Sequence, residues 1–215
     1  MRLNKHISES GLCSRRQADA WIAAGRVTVN GARGELGTQV KPGDGVLVDG
    51  QPLPMRKSAV YIALNKPRGI TSTTERHVPG NIIDFVGHPE RIFPIGRLDK
   101  ESEGLILLTS DGDIVNEVLR EEHGHEKEYL VTVEPAITAN FLAMMAAGVR
   151  IGGEKTRPAR VTRVDANRFR IVLTQGLNRQ IRRMCSALGW RVKRLVRTRI
   201  MHIQLGDLPA GRWRD

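Results

Sequence analysis

Residues 96–108 read GRLDKESEGLILL, a charge-dense loop that runs directly into a short apolar segment. The polar run TSDGD follows at 109–113, and a short apolar run bounded by turn residues predicts a buried strand. Loops held by a rigid buried strand often carry catalytic groups, which makes Asp99 a candidate catalytic residue. Arg97 and Lys100 flank Asp99 and would favour its ionised form. An aspartate before a strand is more often a turn former or a surface ion-pair partner, so this run alone assigns no activity.

Length and composition predict a globular chain with one ordinary domain and one small domain, because 40% of its 215 residues are hydrophobic. No apolar run approaches the roughly 20 residues of a membrane span, and we expect neither a membrane segment nor a secretory leader. The two cysteines, Cys13 and Cys185, lie far apart in sequence, which predicts a reduced, cytoplasmic protein. The histidines lack metal-ligand spacing, although His123 and His125 are close, and we expect no metal site.

Positive charge is concentrated in one segment of the chain. The formal net charge is +11, and residues 151–199 hold fourteen Lys and Arg against two Asp and Glu. Residues 1–57 hold nine basic against five acidic residues, whereas residues 58–150 hold nine against fourteen. This excess predicts a polyanionic partner, either nucleic acid or an acidic membrane surface, that meets the chain at 151–199 and at the N-terminal piece.

The first fifty residues have the pattern of a small RNA-binding unit. Ser14 is placed to cap a helix over residues 15–22, which Gly25 ends, and the sequence GRVTVNG at 25–31 predicts a strand and a tight turn. The pattern resembles the αL-motif domain named after ribosomal protein S-four, which would present Arg15 and Arg16 to structured RNA. The alternative is a small basic domain with ordinary surface arginines. Prolines at 52 and 54 and the run RKS at 56–58 predict a hinge after this unit.

The basic segment contains a strongly cationic helix. The sequence GLNRQIRRMCSALG at 176–189 begins and ends with glycine and spaces its apolar residues for one buried stripe. Arg179 and Arg183 share another face, and Arg182 lies beside the apolar stripe. The like charges of its arginine side chains repel one another unless an anion binds to the helix. Earlier in the chain, residues 125–133 predict a strand on which Tyr129 shares a face with apolar neighbours, as an ordinary core tyrosine also would.

Four motifs in order give the chain a specific resemblance: KPRG at 66–69, GRLD at 96–99, YLV at 129–131 and NRQIR at 178–182. Together they resemble the RNA pseudouridine synthases of the RsuA-type family, and HEKEY at 125–129 is similar to the RluF-type branch of that family. The resemblance implies an α+β fold. An S-four-like RNA-binding domain at 1–57 would precede a catalytic domain at 58–215, built on a mixed, mainly antiparallel sheet with flanking helices.

The resemblance also implies the site. Asp99 would be the single catalytic aspartate, Tyr129 would pack on the target base, and Arg182 would be ion-paired to the aspartate. Leu195, with Arg97 and Leu98, would line the substrate pocket. Conversion of uridine to its C-glycoside isomer involves no redox change and no external group, so no cofactor is implied. The target base must leave its stack, and attack at C1′, attack at C6 and removal of the 2′ proton all remain open as the role of the carboxylate.

Structured RNA is the implied partner, most specifically large-subunit 23S ribosomal RNA, with transfer RNA open as a second substrate; we expect no membrane partner and a monomer. The chemistry supplies little affinity, so phosphate contacts must hold the substrate. The candidate RNA-binding residues are Arg15, Arg16, Lys66, Arg68, Arg179, Arg183, Lys193, Arg194, Arg197 and Arg199.

Two other classes of function compete with this hypothesis. In a non-catalytic RNA-binding or ribosome-assembly factor, Asp99 would only order its loop and bind Arg182. A phosphotransfer or nuclease domain is disfavoured, because the sequence has neither a glycine-rich phosphate loop nor a convincing cluster of metal-binding carboxylates.

Overall fold

The computed structural model describes residues 1–55, 58–120 and 124–215. Arg56 and Lys57, which belong to the predicted hinge, and His123 lie outside the described residues, as does the predicted domain boundary. Two compact units are present. The first comprises Met1–Val60, Pro89–Ile92 and Ser110–Gly112, and the second comprises Tyr61–His88, Phe93–Thr109 and Asp113–Asp215.

The first unit packs two short helices against a small antiparallel sheet in the strand order β2-β1-β3-β4. Its elements are α1 (Leu3–Glu9), α2 (Arg15–Ala23), β1 (Val27–Val29), β2 (Ala32–Arg33), β3 (Val46–Val48) and β4 (Gln51–Pro52). The Ser14 side chain accepts a hydrogen bond from the Gln17 N–H, which satisfies a free donor at the start of α2 and confirms the predicted cap. Ala18 and Ile22 face the core, and Arg15 and Arg16 are exposed.

The second unit is built on a mixed sheet in the strand order β11-β12-β8-β13-β7-β5-β15, with β14 paired to β13 and β6 to β7. Its elements in chain order are β5 (Tyr61–Lys66), α3 (Ile82–Val86), β6 (Phe93–Ile95), β7 (Glu103–Thr109), α4 (Gly112–Leu119), β8 (Lys127–Glu134), α5 (Ala139–Ala147), β9 (Arg150–Ile151), β10 (Glu154–Lys155), β11 (Arg160–Arg163), β12 (Arg168–Leu173), α6 (Gln180–Ala187), β13 (Arg191–Ile200), β14 (Ile203–Gln204) and β15 (Trp213–Arg214). The neighbouring strands run antiparallel except β13 and β7, which are parallel. The predicted α+β fold with a mainly antiparallel sheet is confirmed.

Apolar side chains from β8, β12 and β13 form the larger core of this unit with α5 and α6. Val131 and Phe169 are fully buried on the sheet, and Met184 and Cys185 cover them from α6. Burial raises the pKa of the Cys185 thiol to about 12, so this cysteine is an inert core residue. The predicted strand at 105–108 is the centre of β7, where its apolar residues are buried on both faces. No helix among the described residues is long and apolar enough to span a bilayer.

The two edges of the sheet are short and charged. The β11 edge strand has four residues and carries Arg160 and Arg163, and the β15 edge strand has two residues and carries Arg214. All three arginines are exposed.

Gly104 fixes the close parallel approach of β7 to β13. It pairs with Arg197, and its backbone φ of +100° lies in the region that side chains disfavour. A Cβ at this position would lie 2.3 Å from the Arg197 carbonyl oxygen and 2.7 Å from its nitrogen, both of which are backbone atoms. The contact therefore requires glycine for two separate reasons.

We expect Gly104→Ala to destabilise the protein by at least about 2 kcal/mol, because backbone strain and overpacking each cost about 1–3 kcal/mol. Gly153→Ala is the matched control, since Gly153 has a similar φ of +92° and open space around its Cβ position. Urea unfolding of both variants separates the two costs. Equal losses would show that strain alone matters and that the contact with Arg197 does not.

Candidate active site

One cavity of the second unit contains the residues that the sequence predicted as the catalytic site and pocket. Its volume is about 450 Å³, within the range of small-molecule sites, and it lies where the loop before β7 meets β8, β13 and the turn before α6. All six residues predicted for catalysis or for the substrate pocket line it: Arg97, Leu98, Asp99, Tyr129, Arg182 and Leu195. The predicted RNA contacts Arg179 and Arg197 line it as well. Residues that are up to about a hundred positions apart in sequence thus face one space.

Asp99 projects from the loop that precedes β7, and its side chain is 29% exposed. The Ser102 N–H donates a hydrogen bond to the Asp99 carbonyl oxygen at 2.9 Å, which turns the backbone towards β7. An Arg179 guanidinium nitrogen lies 3.7 Å from the Asp99 carboxylate. This carboxylate is therefore open to a ligand and is held next to a positive charge.

The predicted ion pair between Asp99 and Arg182 needs correction. Arg182 donates hydrogen bonds to the Glu101 carbonyl oxygen at 3.3 Å and to the Ser102 hydroxyl at 3.2 Å. Among the described residues, the ion-pair partner of Asp99 is Arg179. Arg182 interacts with the Asp99 charge only from a longer distance. Burial, with the nearby Arg179 charge, lowers the pKa of Arg182. Arg179 therefore pairs with the Asp99 carboxylate, whereas Arg182 stabilises the loop through its hydrogen bonds to Glu101 and Ser102.

The start of α6 explains this exchange of partners. The helix was predicted to begin near residue 176, but it begins at Gln180 because Arg179 takes a left-handed backbone conformation, with φ 50° and ψ 33°. Buried Gln180 stabilises the preceding turn, since its side-chain oxygen accepts a hydrogen bond from the Leu177 N–H at 3.1 Å. The turn directs Arg179 towards Asp99. Strained non-glycine residues are concentrated at functional sites, so Arg179 and Gln180 join the candidate site.

Tyr129 and Leu195 form the sheet side of the cavity. On the paired strands β8 and β13, Tyr129 lies opposite Arg197 and Leu195 lies opposite Val131. Leu195 is 7% exposed and Tyr129 is half-buried against the core. An aromatic ring and an aliphatic side chain beside a carboxylate make a pocket for a flat, partly apolar group that is held close to the charge.

Three cations predicted to hold RNA are instead used inside the protein. Lys66 has no exposed surface, and Arg197 is 4% exposed with its Nε donating to the Leu105 carbonyl oxygen at 2.6 Å. The Arg199 side chain is 15% exposed and is paired with Glu126 at 3.0 Å. These three predictions are corrected, because residues that face phosphate must be accessible. The exposed members of the predicted set are Arg15, Arg16, Arg68, Arg179, Arg183, Lys193 and Arg194.

A second concave surface, about 750 Å³ in volume, adjoins the cavity and shares Arg179 and Arg182 with it. Arg68, Arg191 and Lys193 also line this basic groove. Arg191 was missed by motif matching, and the charge excess of the segment 151–199 was its only signal in the sequence. A nucleic-acid backbone that entered the cavity would find cations along this path.

Lys66 has a structural position beneath the site. Its ammonium group donates hydrogen bonds to the carbonyl oxygens of Pro67 and Ile70, both at 2.9 Å. Burial lowers the Lys66 pKa to about 8, and the nearby carboxylates of Asp99 and Glu103 oppose that shift. A buried ammonium without an anion in contact destabilises the folded state unless hydrogen bonds compensate, and here two backbone carbonyls do so.

Comparison with known proteins identifies the family. A model of the RNA pseudouridylate synthase family matches residues 60–187, and a model of the S4 domain matches residues 1–46. The first match covers more than half of the chain. The chain therefore belongs to the RNA pseudouridine synthase family, an isomerase family, and the prediction from the four motifs and the N-terminal pattern is confirmed.

Individual relatives agree with this assignment. The chain is 57% identical over 217 residues to the dual-specificity RNA pseudouridine synthase RluF of Escherichia coli K12, a match that covers all of this chain and 75% of the relative. It is 39% identical to an uncharacterized RNA pseudouridine synthase of Aquifex aeolicus, over all of this chain and 90% of that protein. A crystal structure of a pseudouridylate synthase matches with a TM-score of 0.73 at 31% identity, covering 100% of this chain and 95% of the other. The predicted similarity to the RluF-type branch is also confirmed.

We expect Lys66→Met to change how stability depends on pH. The folded protein loses the Lys66 proton near a pKa of about 8, whereas an unfolded lysine titrates at about 10.4. Between these values the unfolded chain binds more protons at Lys66, so the free energy of unfolding of the wild type should rise with pH relative to the variant.

Urea unfolding of wild type and Lys66→Met at about pH 7 and about pH 10 measures this difference. Lys155→Met, at an exposed lysine of the same unit, controls for the loss of one charge. A stability difference between wild type and Lys66→Met that stayed constant or fell with pH would contradict a buried ammonium at neutral pH.

Proposed function

We propose that this enzyme isomerises a specific uridine in large-subunit ribosomal RNA and that Asp99 is its catalytic residue. One observation carries the assignment: among the described residues that line the cavity, Asp99 is the only carboxylate, and Tyr129 lines the same space. The 57% identity to RluF of Escherichia coli supports the RNA class. A non-catalytic RNA-binding factor would not need an exposed carboxylate and an aromatic ring in one pocket.

The reaction breaks the N1–C1′ bond of uridine, turns the uracil and joins its C5 to C1′; C5 then loses its proton and N1 takes one up, so that the product is an isomer of the substrate. Asp99 can attack C1′, attack C6 or remove the 2′ proton, and each route begins with an ionised carboxylate. The Arg179 guanidinium lies 3.7 Å from the Asp99 carboxylate and places an opposite charge next to it. Arg182 holds the loop through Glu101 and Ser102 and adds positive potential at longer range.

The uracil has to leave its helix to reach Asp99, because a base that remains stacked within a duplex cannot enter a cavity. Extruding a base costs a few kcal/mol. Packing on the Tyr129 ring returns about 1–3 kcal/mol, and Leu195 supplies an apolar wall next to it. The Tyr129 hydroxyl can also pass on the proton that leaves C5, giving up its own proton as it takes the new one.

RNA is held by the exposed cations around the cavity. The basic groove with Arg68, Arg191 and Lys193 would follow the phosphate backbone on one side of the flipped nucleotide. We further propose that residues 1–57 serve as an RNA-binding domain that adds affinity and that residues 58–215 serve as the catalytic domain. Arg15 and Arg16 are exposed on α2 and suit that role. Transfer RNA is the second substrate to test, in the same assay as ribosomal RNA.

We expect Asp99→Asn to abolish pseudouridine formation, with a loss of at least about a thousandfold in rate, while RNA binding is retained. Glu154→Gln is the matched control, because it changes an exposed carboxylate of the same unit to an amide at a position that lines neither the cavity nor the basic groove. Pseudouridine mapping of ribosomal and transfer RNA from cells that carry each variant gives the readout. An unchanged modification in Asp99→Asn would favour the RNA-binding factor without catalysis.

We expect Arg183→Gln to weaken RNA binding and to lower the slope of log affinity against log salt by about 1. Arg183 is exposed on α6, and the described residues offer it no ion-pair partner. Arg168→Gln is the control, since Arg168 is equally exposed but already pairs with Asp165 at 2.5 Å. Titration of a structured RNA at several salt concentrations measures both slopes, and equal effects of the two variants would contradict a specific role for α6.

A further inference from the structure

A buried hydroxyl holds the backbone one residue before Asp99. Ser72 Oγ donates a hydrogen bond to the Leu98 carbonyl oxygen at 2.8 Å and accepts one from the Leu98 N–H at 3.2 Å. Ser72 is 5% exposed and Leu98 is 6% exposed. Water cannot easily replace either bond at such a buried position, so the orientation of this peptide depends on Ser72.

The residue after Asp99 is held by the same segment. The Gly69 N–H donates to the Lys100 carbonyl oxygen at 2.8 Å. Since the Ser102 N–H holds the carbonyl of Asp99 itself, the backbone is fixed before, at and after the catalytic residue. The segment 69–72 thus clamps the loop from the outside, while Ser102 closes it from within.

The clamping segment is itself anchored to regular structure. Thr71 donates to the Gly80 carbonyl oxygen and accepts from the Ile82 N–H, both at 2.9 Å, which ties it to the start of α3. The buried Lys66 ammonium binds the carbonyls of Pro67 and Ile70 at the other end. Ser72 is therefore presented by a rigid support, as a group that positions another residue must be.

We propose that Ser72 is a positioning residue for pseudouridine formation: its hydroxyl fixes the Leu98 backbone and thereby sets the direction of the Asp99 carboxylate. The inference rests on the catalytic role proposed for Asp99 above. A displacement of about 1 Å at a reacting group costs about a hundredfold in rate. Ser72 does not line the cavity, so its loss should affect the chemical step and leave RNA binding intact.

Ser72→Ala removes both hydrogen bonds. We expect kcat to fall about 10- to 100-fold with an unchanged KM for RNA, and we expect Ser72→Thr, which keeps the hydroxyl, to recover most of kcat. Thr156→Val is the matched control: Thr156 is a buried hydroxyl of the same unit, away from the cavity lining, that accepts from the Val149 N–H at 3.0 Å. It should keep the wild-type kcat.

Steady-state kinetics on one structured RNA measure kcat and KM for each variant, and circular dichroism verifies that each variant is folded. A wild-type kcat in Ser72→Ala, or an equal fall in Thr156→Val, overturns the inference. Should Ser72→Ala not fold, Ser72→Cys replaces it, and a wild-type kcat there is equally fatal because sulfur cannot keep the oxygen distances. Asp99→Asn is assayed alongside. An active Asp99→Asn overturns the proposed function, whereas an inactive Asp99→Asn with a fully active Ser72→Ala overturns only the role of Ser72.

Discussion

The parallel contact between β7 and β13 is the constraint on which the site depends. Gly104 lets the two backbones approach, and the Arg197 side chain then reaches the Leu105 carbonyl oxygen across the same junction. Because β13 also pairs with β8, one strand fixes both the loop that carries Asp99 and the strand that carries Tyr129. An ion pair between Arg194 and Glu103 at 2.7 Å reinforces the junction from the exposed side, where such pairs add little stability of their own.

Local signals in the sequence predicted a large part of this architecture. The Ser14 cap, the buried strand at 105–108 and the alternation around Tyr129 each depend on neighbours within a few residues, and the structure reproduces all three. The order of four motifs then predicted which distant segments meet. Leu98 and Leu195 face one cavity. That they would meet could be predicted only from the family resemblance, because sequence periodicity carries no information about contacts between distant segments.

Apart from the start of α6, the predictions that failed concern cations. Charge alone does not distinguish an arginine that faces solvent from one that serves backbone carbonyls inside the fold. Lys66 is buried because the carbonyls of a tight turn converge on it, and Arg197 is buried because β7 lies so close. Likewise, Arg179 replaced Arg182 as the partner of Asp99 because the left-handed residue before α6 redirects the chain. The contacts of Arg197 and Arg179 join residues far apart in sequence, whereas Lys66 binds carbonyls one and four positions further along, which net charge does not reveal.

The short, arginine-bearing edges of the sheet have a consequence for how this protein behaves at high concentration. An unprotected edge strand offers free N–H and C=O groups to a strand of another molecule, which is how sheets aggregate. Here one edge is the four-residue β11 with Arg160 and Arg163, and the other is the two-residue β15 with Arg214. Two molecules that approached edge to edge would meet over too few residues to form a stable ladder, and the exposed Arg163 and Arg214 would add like charges, since Arg160 is already paired with Glu126. The exposed arginines on these edge strands thus discourage intermolecular β-pairing.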